Sequence, residues 1–206
     1  MSQPVTAQFL FDFGSPNAYL AHQVIPGIEA RTGVRFDYVP VLLGGLFKLA
    51  NNRSPMEANA GIPLKRAYDM LEMRRFIQRH QLTQFQMNPH FPVNTLGIMR
   101  GAVAAQRAGV LAPYVDAVFG AMWERGANMA DVAVITAELN AAGLDGAALV
   151  AATQDAAVKD ELMANTQAAH ARGAFGSPIF FVGEEMYFGK DRLGEVEEEI
   201  VRAQAA

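Results

Sequence analysis

The sequence predicts an α/β protein in which a βαβ unit opens the chain, a ββα unit closes it, and an all-helical segment stands between them. Three observations predict this. An aromatic-rich apolar run at residues 7–13 is broken by Gly14, and Ser15-Pro16 then opens a helix. From about residue 63 to about residue 172 the apolar spacing is helical almost throughout. Strand-like apolar runs return only after that, near the end of the chain.

The opening run, Ala7-Gln8-Phe9-Leu10-Phe11-Asp12-Phe13, has the aromatic content of a buried strand. Proline suits the first helical position, because an N–H there has no partner to lose, and this makes Ser15 the N-cap. Tyr19, Leu20, Val24, Ile25 and Ile28 continue at helical spacing until Gly33, a helix stop. A second strand is expected at 34–42. A ligand site belongs at the strand ends and helix start of such a unit.

The central segment, 63–172, is read as an inserted helical domain with helices at 64–80, 96–107, 113–125, 131–142 and 146–171, the last in two pieces. Asp131 is expected as an N-cap and Gly143 as a C-terminal stop. Residues 1–62 and 173–206 then form the α/β domain. In its closing half, Ile179-Phe180-Phe181-Val182 and Met186-Tyr187-Phe188 read as strands around a turn at Gly183-Glu184-Glu185. A last helix follows at 193–203.

Composition narrows the function classes. The chain has 206 residues, 51% of them hydrophobic and 18% charged, enough for a buried core. A net charge of -4 speaks against a nucleic-acid partner. No apolar run approaches the ~18 residues of a membrane span. Residues 1–13 lack the basic flank and apolar stretch of a signal peptide, so a cytoplasmic location is expected. Cysteine is absent, which excludes disulfides, thiolate metal sites and disulfide oxidoreductase chemistry. The four histidines, His22, His80, His90 and His170, have no metal-ligand spacing, and no metal is expected.

A few residues could carry chemistry. Ser15 sits where a helix gathers unpaired N–H groups and the positive end of its dipole, a setting that favours an anion, although a serine there is first of all a cap. Ser177-Pro178 precedes the third strand, and an X-Pro bond is the common place for a cis peptide. Asp191 and Arg192 open the last helical stretch, where Arg192 offers a two-pronged carboxylate partner. Lys48, Asn51 and Asn52 are expected in a loop after the second strand, near the site mouth. Asp12-Phe13-Gly14 imitates a kinase motif without its companions, and Ser15 lacks the Gly-x-Ser-x-Gly frame of a hydrolase.

Several stretches together resemble one family. Phe11-Asp12-Phe13-Gly14-Ser15-Pro16-Asn17-Ala18-Tyr19-Leu20 is similar to the opening of 2-hydroxychromene-2-carboxylate isomerases and kappa-class glutathione transferases. Gly44 to Asn52, Phe91 to Leu96, Gly176-Ser177-Pro178 and Gly189 to Leu193 follow in that family's order and span nearly the whole chain. The resemblance implies a thioredoxin-like fold with glutathione lying across the βαβ end.

By that resemblance Ser15 hydrogen-bonds the glutathione sulfur. The backbone of Ser177, before Pro178 in a cis peptide, pairs with the peptide part, and Asp191 and Arg192 hold the γ-glutamyl end. Lys48, Asn52 and Asn94 line the place of a small aromatic substrate. The implied reaction converts 2-hydroxychromene-2-carboxylate-type compounds to trans-o-hydroxybenzylidenepyruvate-type products in naphthalene-like degradation. A homodimer is implied as well. The segment around His90-Phe91-Pro92 lacks a tyrosine–arginine pair that some naphthalene-pathway isomerases carry, which leaves the substrate open. A transferase conjugating glutathione to electrophiles, and a cysteine-less thioredoxin-like binding module, are the alternative readings.

Overall fold

Apolar runs from the two ends of the chain meet in one four-stranded sheet. The computed structural model describes residues 5–205; residues 1–4, the start of the segment read above for a leader, lie outside them. The elements are β1 (Ala7–Phe11), α1 (Pro16–Thr32), β2 (Phe36–Pro40), α2 (Leu43–Leu49), α3 (Pro55–Ala58), α4 (Pro63–His80), α5 (Leu96–Arg107) and α6 (Leu111–Trp123). They continue with α7 (Val132–Ala141), α8 (Gly146–Ala152), α9 (Ala156–Ala171), β3 (Ile179–Val182), β4 (Glu185–Phe188), a 3-10 turn (Lys190–Arg192) and α10 (Leu193–Ala205). No helix among the described residues is long and apolar enough to cross a membrane.

The sheet order is β2-β1-β3-β4. β1 runs parallel to β2, with Phe11 opposite Pro40, and antiparallel to β3, with Leu10 opposite Ile179. The two-residue alternation of a strand then sorts the core. Phe9 and Phe11 point to one face, where they join Phe13, Ile25, Ile28, Phe119, Trp123, Val196 and Ile200. Leu10, Ile179 and Phe181 point to the other, against Val41, Leu46, Ala169 and Ala174. Helices cover both faces, so β1 and β3 are buried and read as continuous apolar runs. The first core continues through α5 and α6, tying the central helices to the sheet.

Several expected boundaries move, each for a tertiary reason. The first strand stops at Phe11 rather than 13: Asp12 turns its side chain back to Gly14, and Phe13 gives its N–H to the Met99 sulfur at 3.4 Å and its carbonyl to Trp123 at 2.8 Å. The second strand is Phe36–Pro40 rather than 34–42. The helix expected at 113–125 begins at Leu111, which places Pro113 in the first turn, where its missing N–H does no harm. It ends at Trp123, as the Arg125 N–H reaches back to Gly120. Asp131 caps α7 and the 146–171 helix breaks in two, both as expected.

The expected loop carrying Lys48 is in fact helix α2, so Lys48 lies on a helix and Asn51 and Asn52 follow it. Gly44-Gly45 reads locally as a breaker. In the structure Gly45 lies against α9, where a Cβ would stand 3.1 Å from the Thr166 methyl. No side chain of its own caps α2; the cap comes from Asp12, whose Oδ2 accepts the Leu43 N–H at 2.7 Å.

Candidate active site

Ser15 stands where β1 hands over to α1, and its surroundings fix it there. The 17-residue helix α1 has Pro16 at its first position and Ser15 as N-cap in extended conformation. The Ser15 Oγ accepts the Ala18 N–H at 3.2 Å and donates its own proton to the carbonyl of Ser177 at 3.0 Å. The residue is only 5% exposed. Phe13, two residues before it, is clamped by the indole N–H of Trp123 and packs edge-on against Phe119 with centroids 4.8 Å apart. The loop is therefore held by α5 and α6 as well as by its own strand.

Ser177 faces it from the loop before β3. The Ser177-Pro178 peptide is cis. Its Oγ accepts the Asp12 N–H at 3.2 Å. Among the described residues no backbone carbonyl accepts the Ser177 N–H, which leaves a donor beside the head of α1. Ser15, Ser177 and Pro178 thus form one cluster.

The other expected residues are placed around it with more freedom. The Asn52 amide donates to the Phe175 carbonyl at 3.1 Å, tying the end of α2 to the loop that carries Ser177. Lys48 is exposed on α2. Asn94 is exposed and turns its Oδ1 to the Leu96 N–H at 3.1 Å. Asp191 lies in the 3-10 turn after Gly189, where both its oxygens meet the Lys190 ammonium, at 2.7 and 2.8 Å. Arg192 pairs with Glu195 at 2.6 Å. The buried Lys190, with its ammonium 4.9 Å from the centre of the Phe76 ring, fastens that turn to α4.

A cavity of about 430 Å³ opens beside Gly14, lined by Leu42, Leu43 and Phe47 on one side and Phe91, Val93, Asn94 and Thr95 on the other. It is an apolar slot with few polar groups, the usual make-up of a small-molecule site. Of the expected substrate residues Asn94 lines it, whereas Lys48 and Asn52 do not.

Asp12, which the sequence reading passed over, lines the cavity too and is fully buried. Its Oδ1 accepts the Gly14 N–H at 2.8 Å and its Oδ2 the Leu43 N–H at 2.7 Å. Burial pushes its pKa above the ordinary aspartate value; the Leu43 and Gly14 N–H groups and the Thr95 hydroxyl oppose that rise without cancelling it. Gly14 is crowded by the same groups: a Cβ there would stand 3.0 Å from the Thr95 methyl and 3.2 Å from the Asp12 carboxylate. The signal available in sequence was an acid closing a buried strand just before a helix cap.

Comparison with known proteins agrees with the resemblance read from the motifs. The 2-hydroxychromene-2-carboxylate isomerase of Sphingobium xenophagum is 27% identical over 93% of this chain and 96% of its own. Glutathione S-transferase kappa 1 of Homo sapiens is 25% identical over 92% of this chain and 88% of its own. A solved structure of a 2-hydroxychromene-2-carboxylate isomerase superposes with a TM-score of 0.79 at 27% identity, covering 96% of this chain and 95% of that one. The DSBA-like thioredoxin domain matches residues 6–201, from β1 into α10, and takes in both halves of the sheet and all the helices between them. With every strand and all but the end of the last helix inside that match, the chain belongs to the DSBA-like thioredoxin domain family.

Proposed function

We propose that the protein is a glutathione-dependent isomerase that converts 2-hydroxychromene-2-carboxylate-type compounds to trans-o-hydroxybenzylidenepyruvate-type products, as a cytoplasmic homodimer. The single observation that carries the reading is the Ser15 hydroxyl at the head of α1, facing the Ser177-Pro178 loop in a chain without cysteine. The relatives named as isomerases support the reaction class.

The residues present fit glutathione. The Ser177 N–H is a donor with no backbone partner among the described residues, and the Asp191 carboxylate, which now pairs with Lys190, stands in the turn before α10. Bound glutathione supplies a thiolate able to add reversibly to a conjugated carbon of the substrate. The chain's residues do the rest. Ser15 turns its proton from the Ser177 carbonyl to the sulfur, and the N-terminus of α1 favours the negative charge. The Ser177 N–H holds the peptide portion, with Asp191 and Arg192 at the γ-glutamyl end. Leu42, Phe47 and Phe91 exclude water from a flat substrate and Asn94 orients it; Lys48 and Asn52, outside the cavity lining, are left to contact the substrate from α2 and the residues that follow it.

The kappa-class relative favours a second reading, transfer of glutathione to an electrophile. One experiment separates the two: 2-hydroxychromene-2-carboxylate is supplied in large excess over reduced glutathione, and the products are analysed. Many turnovers per glutathione, with product free of it, are expected. A glutathione-bearing product formed one for one supports the transferase instead. Formation of neither product contradicts both.

A further inference from the structure

Asp12 is a buried acid that the function proposed above leaves without a task. It is fully buried, and it is the one ionisable side chain on the cavity wall among the described residues. The surrounding elements bring few other charges. α1 brings Tyr19, bonded to Glu124; α2 brings the exposed Lys48; α5 brings Arg100; the 3-10 turn brings Asp191 and Arg192, each paired elsewhere. Backbone N–H groups and the Thr95 hydroxyl, rather than a cation, hold the Asp12 carboxylate. A buried acid without a counter-charge disfavours the folded state when ionised, so a polar or apolar residue would serve packing better.

Its connections converge on the site. One oxygen holds Gly14, the residue before Ser15, and the other holds Leu43, the first residue of α2. Its backbone carbonyl accepts the Ser15 N–H at 3.0 Å, and its N–H goes to the Ser177 hydroxyl. The segments that carry Ser15 and Ser177 and the start of α2 therefore meet at this one residue. Its carboxylate accepts the N–H of Gly14, one residue before the N-cap of α1, so its charge offsets the positive end of that helix.

We propose that Asp12 is a positioning residue of the thiol site, whose carboxylate fixes the Gly14–Ser15 loop against α2 and whose negative charge restrains a thiol held at Ser15 from giving up its proton. A thiol that ionises too readily makes a weak nucleophile, because nucleophilicity falls with pKa. The Ser15 hydroxyl and the α1 N-terminus push the thiol towards ionisation; Asp12 pushes back.

The inference rests on the glutathione reading, and the test keeps the two apart. The ultraviolet absorbance of bound glutathione thiolate is followed against pH with wild type and with Asp12→Asn. Removing a like charge from beside the thiol lowers the ionisation midpoint by about one pH unit. A purely structural role for Asp12 would not move the midpoint. A wild-type signal together with an unmoved or raised midpoint in folded Asp12→Asn overturns this inference alone. No saturable thiolate signal from wild type overturns the glutathione reading and this inference with it. Should Asp12→Asn not fold, Thr95→Val puts the same question with the same sign. It removes a hydroxyl that favours the carboxylate's charge, so Asp12 is neutralised more readily, the midpoint falls by a few tenths of a pH unit, and an unmoved or raised midpoint overturns the inference.

Discussion

The Ser15 hydroxyl gives its proton to the Ser177 carbonyl at 3.0 Å while accepting the Ala18 N–H at 3.2 Å. Its one proton is thus already engaged, by a neutral acceptor. A ligand has to take that proton from the carbonyl, and a charged acceptor does so with advantage, because charge-assisted hydrogen bonds are roughly twice as strong as neutral ones. The arrangement selects for a thiolate over a thiol at the head of α1.

The same electrostatics apply to a thiol that belongs to the chain. Ser15→Cys places one at the N-terminus of a 17-residue helix. Its pKa is expected below the free value of about 8.5, read from the pH dependence of alkylation by iodoacetamide. A midpoint at or above that value contradicts the electrostatics assigned to this position.

The loop that carries Ser15 is held from outside. The Trp123 indole donates to the Phe13 carbonyl at 2.8 Å, with both residues fully buried. Trp123→Phe leaves that carbonyl unpaired and removes part of a buried ring, so it is expected to destabilise the fold by about 2–3 kcal/mol in chemical denaturation. A loss below ~0.5 kcal/mol would mean that the loop does not depend on this tether.

Helices α5 and α6 approach through Gly101. A Cβ there would fall 2.0 Å from the Tyr114 hydroxyl oxygen, which is itself bonded to the Ile98 carbonyl at 2.9 Å. The Tyr114 ring is buried and has little room to yield. Gly101→Ala is expected to cost about 3 kcal/mol, the upper end for overpacking. The double variant Gly101→Ala, Tyr114→Phe recovers part of that loss, measured by thermal unfolding of the set.

Asp12 also sets a pH dependence of stability. Its folded pKa lies above its unfolded one, so folding favours the protonated acid. That contribution is fully present below the unfolded pKa of about 3.9 and is lost as pH rises through the folded value. Relative to Asp12→Asn, which does not titrate, wild type therefore loses stability from acid towards neutral pH. Melting temperatures of the pair across that range check the sign, and a gain of wild type over the variant towards neutrality contradicts it.

What was legible in the sequence was local. Ser15-Pro16 marks a helix start because cap and first residue are neighbours, and α1 starts there. Ile179–Val182 and Leu96–Arg107 were readable from their own periodicity and fall at the expected residues. Helix α2 was not, since its cap is an aspartate 31 residues earlier and one of its paired glycines, Gly45, serves close packing on α9. Asp12 was passed over for the same reason: its importance lies in partners at Leu43, Thr95 and Ser177, which only the fold brings to it. The cavity walls, Phe47 and Phe91, likewise come from segments that no sequence pattern joins.

The central claim is that a thiol ligand is held at Ser15, and calorimetric titration with reduced glutathione tests it most directly. Wild type is expected to bind saturably. Ser15→Ala is expected to bind about tenfold more weakly, the loss of one hydrogen bond to a charged group, while remaining folded. No binding by wild type up to millimolar glutathione, or equal binding by the two proteins, would contradict the account.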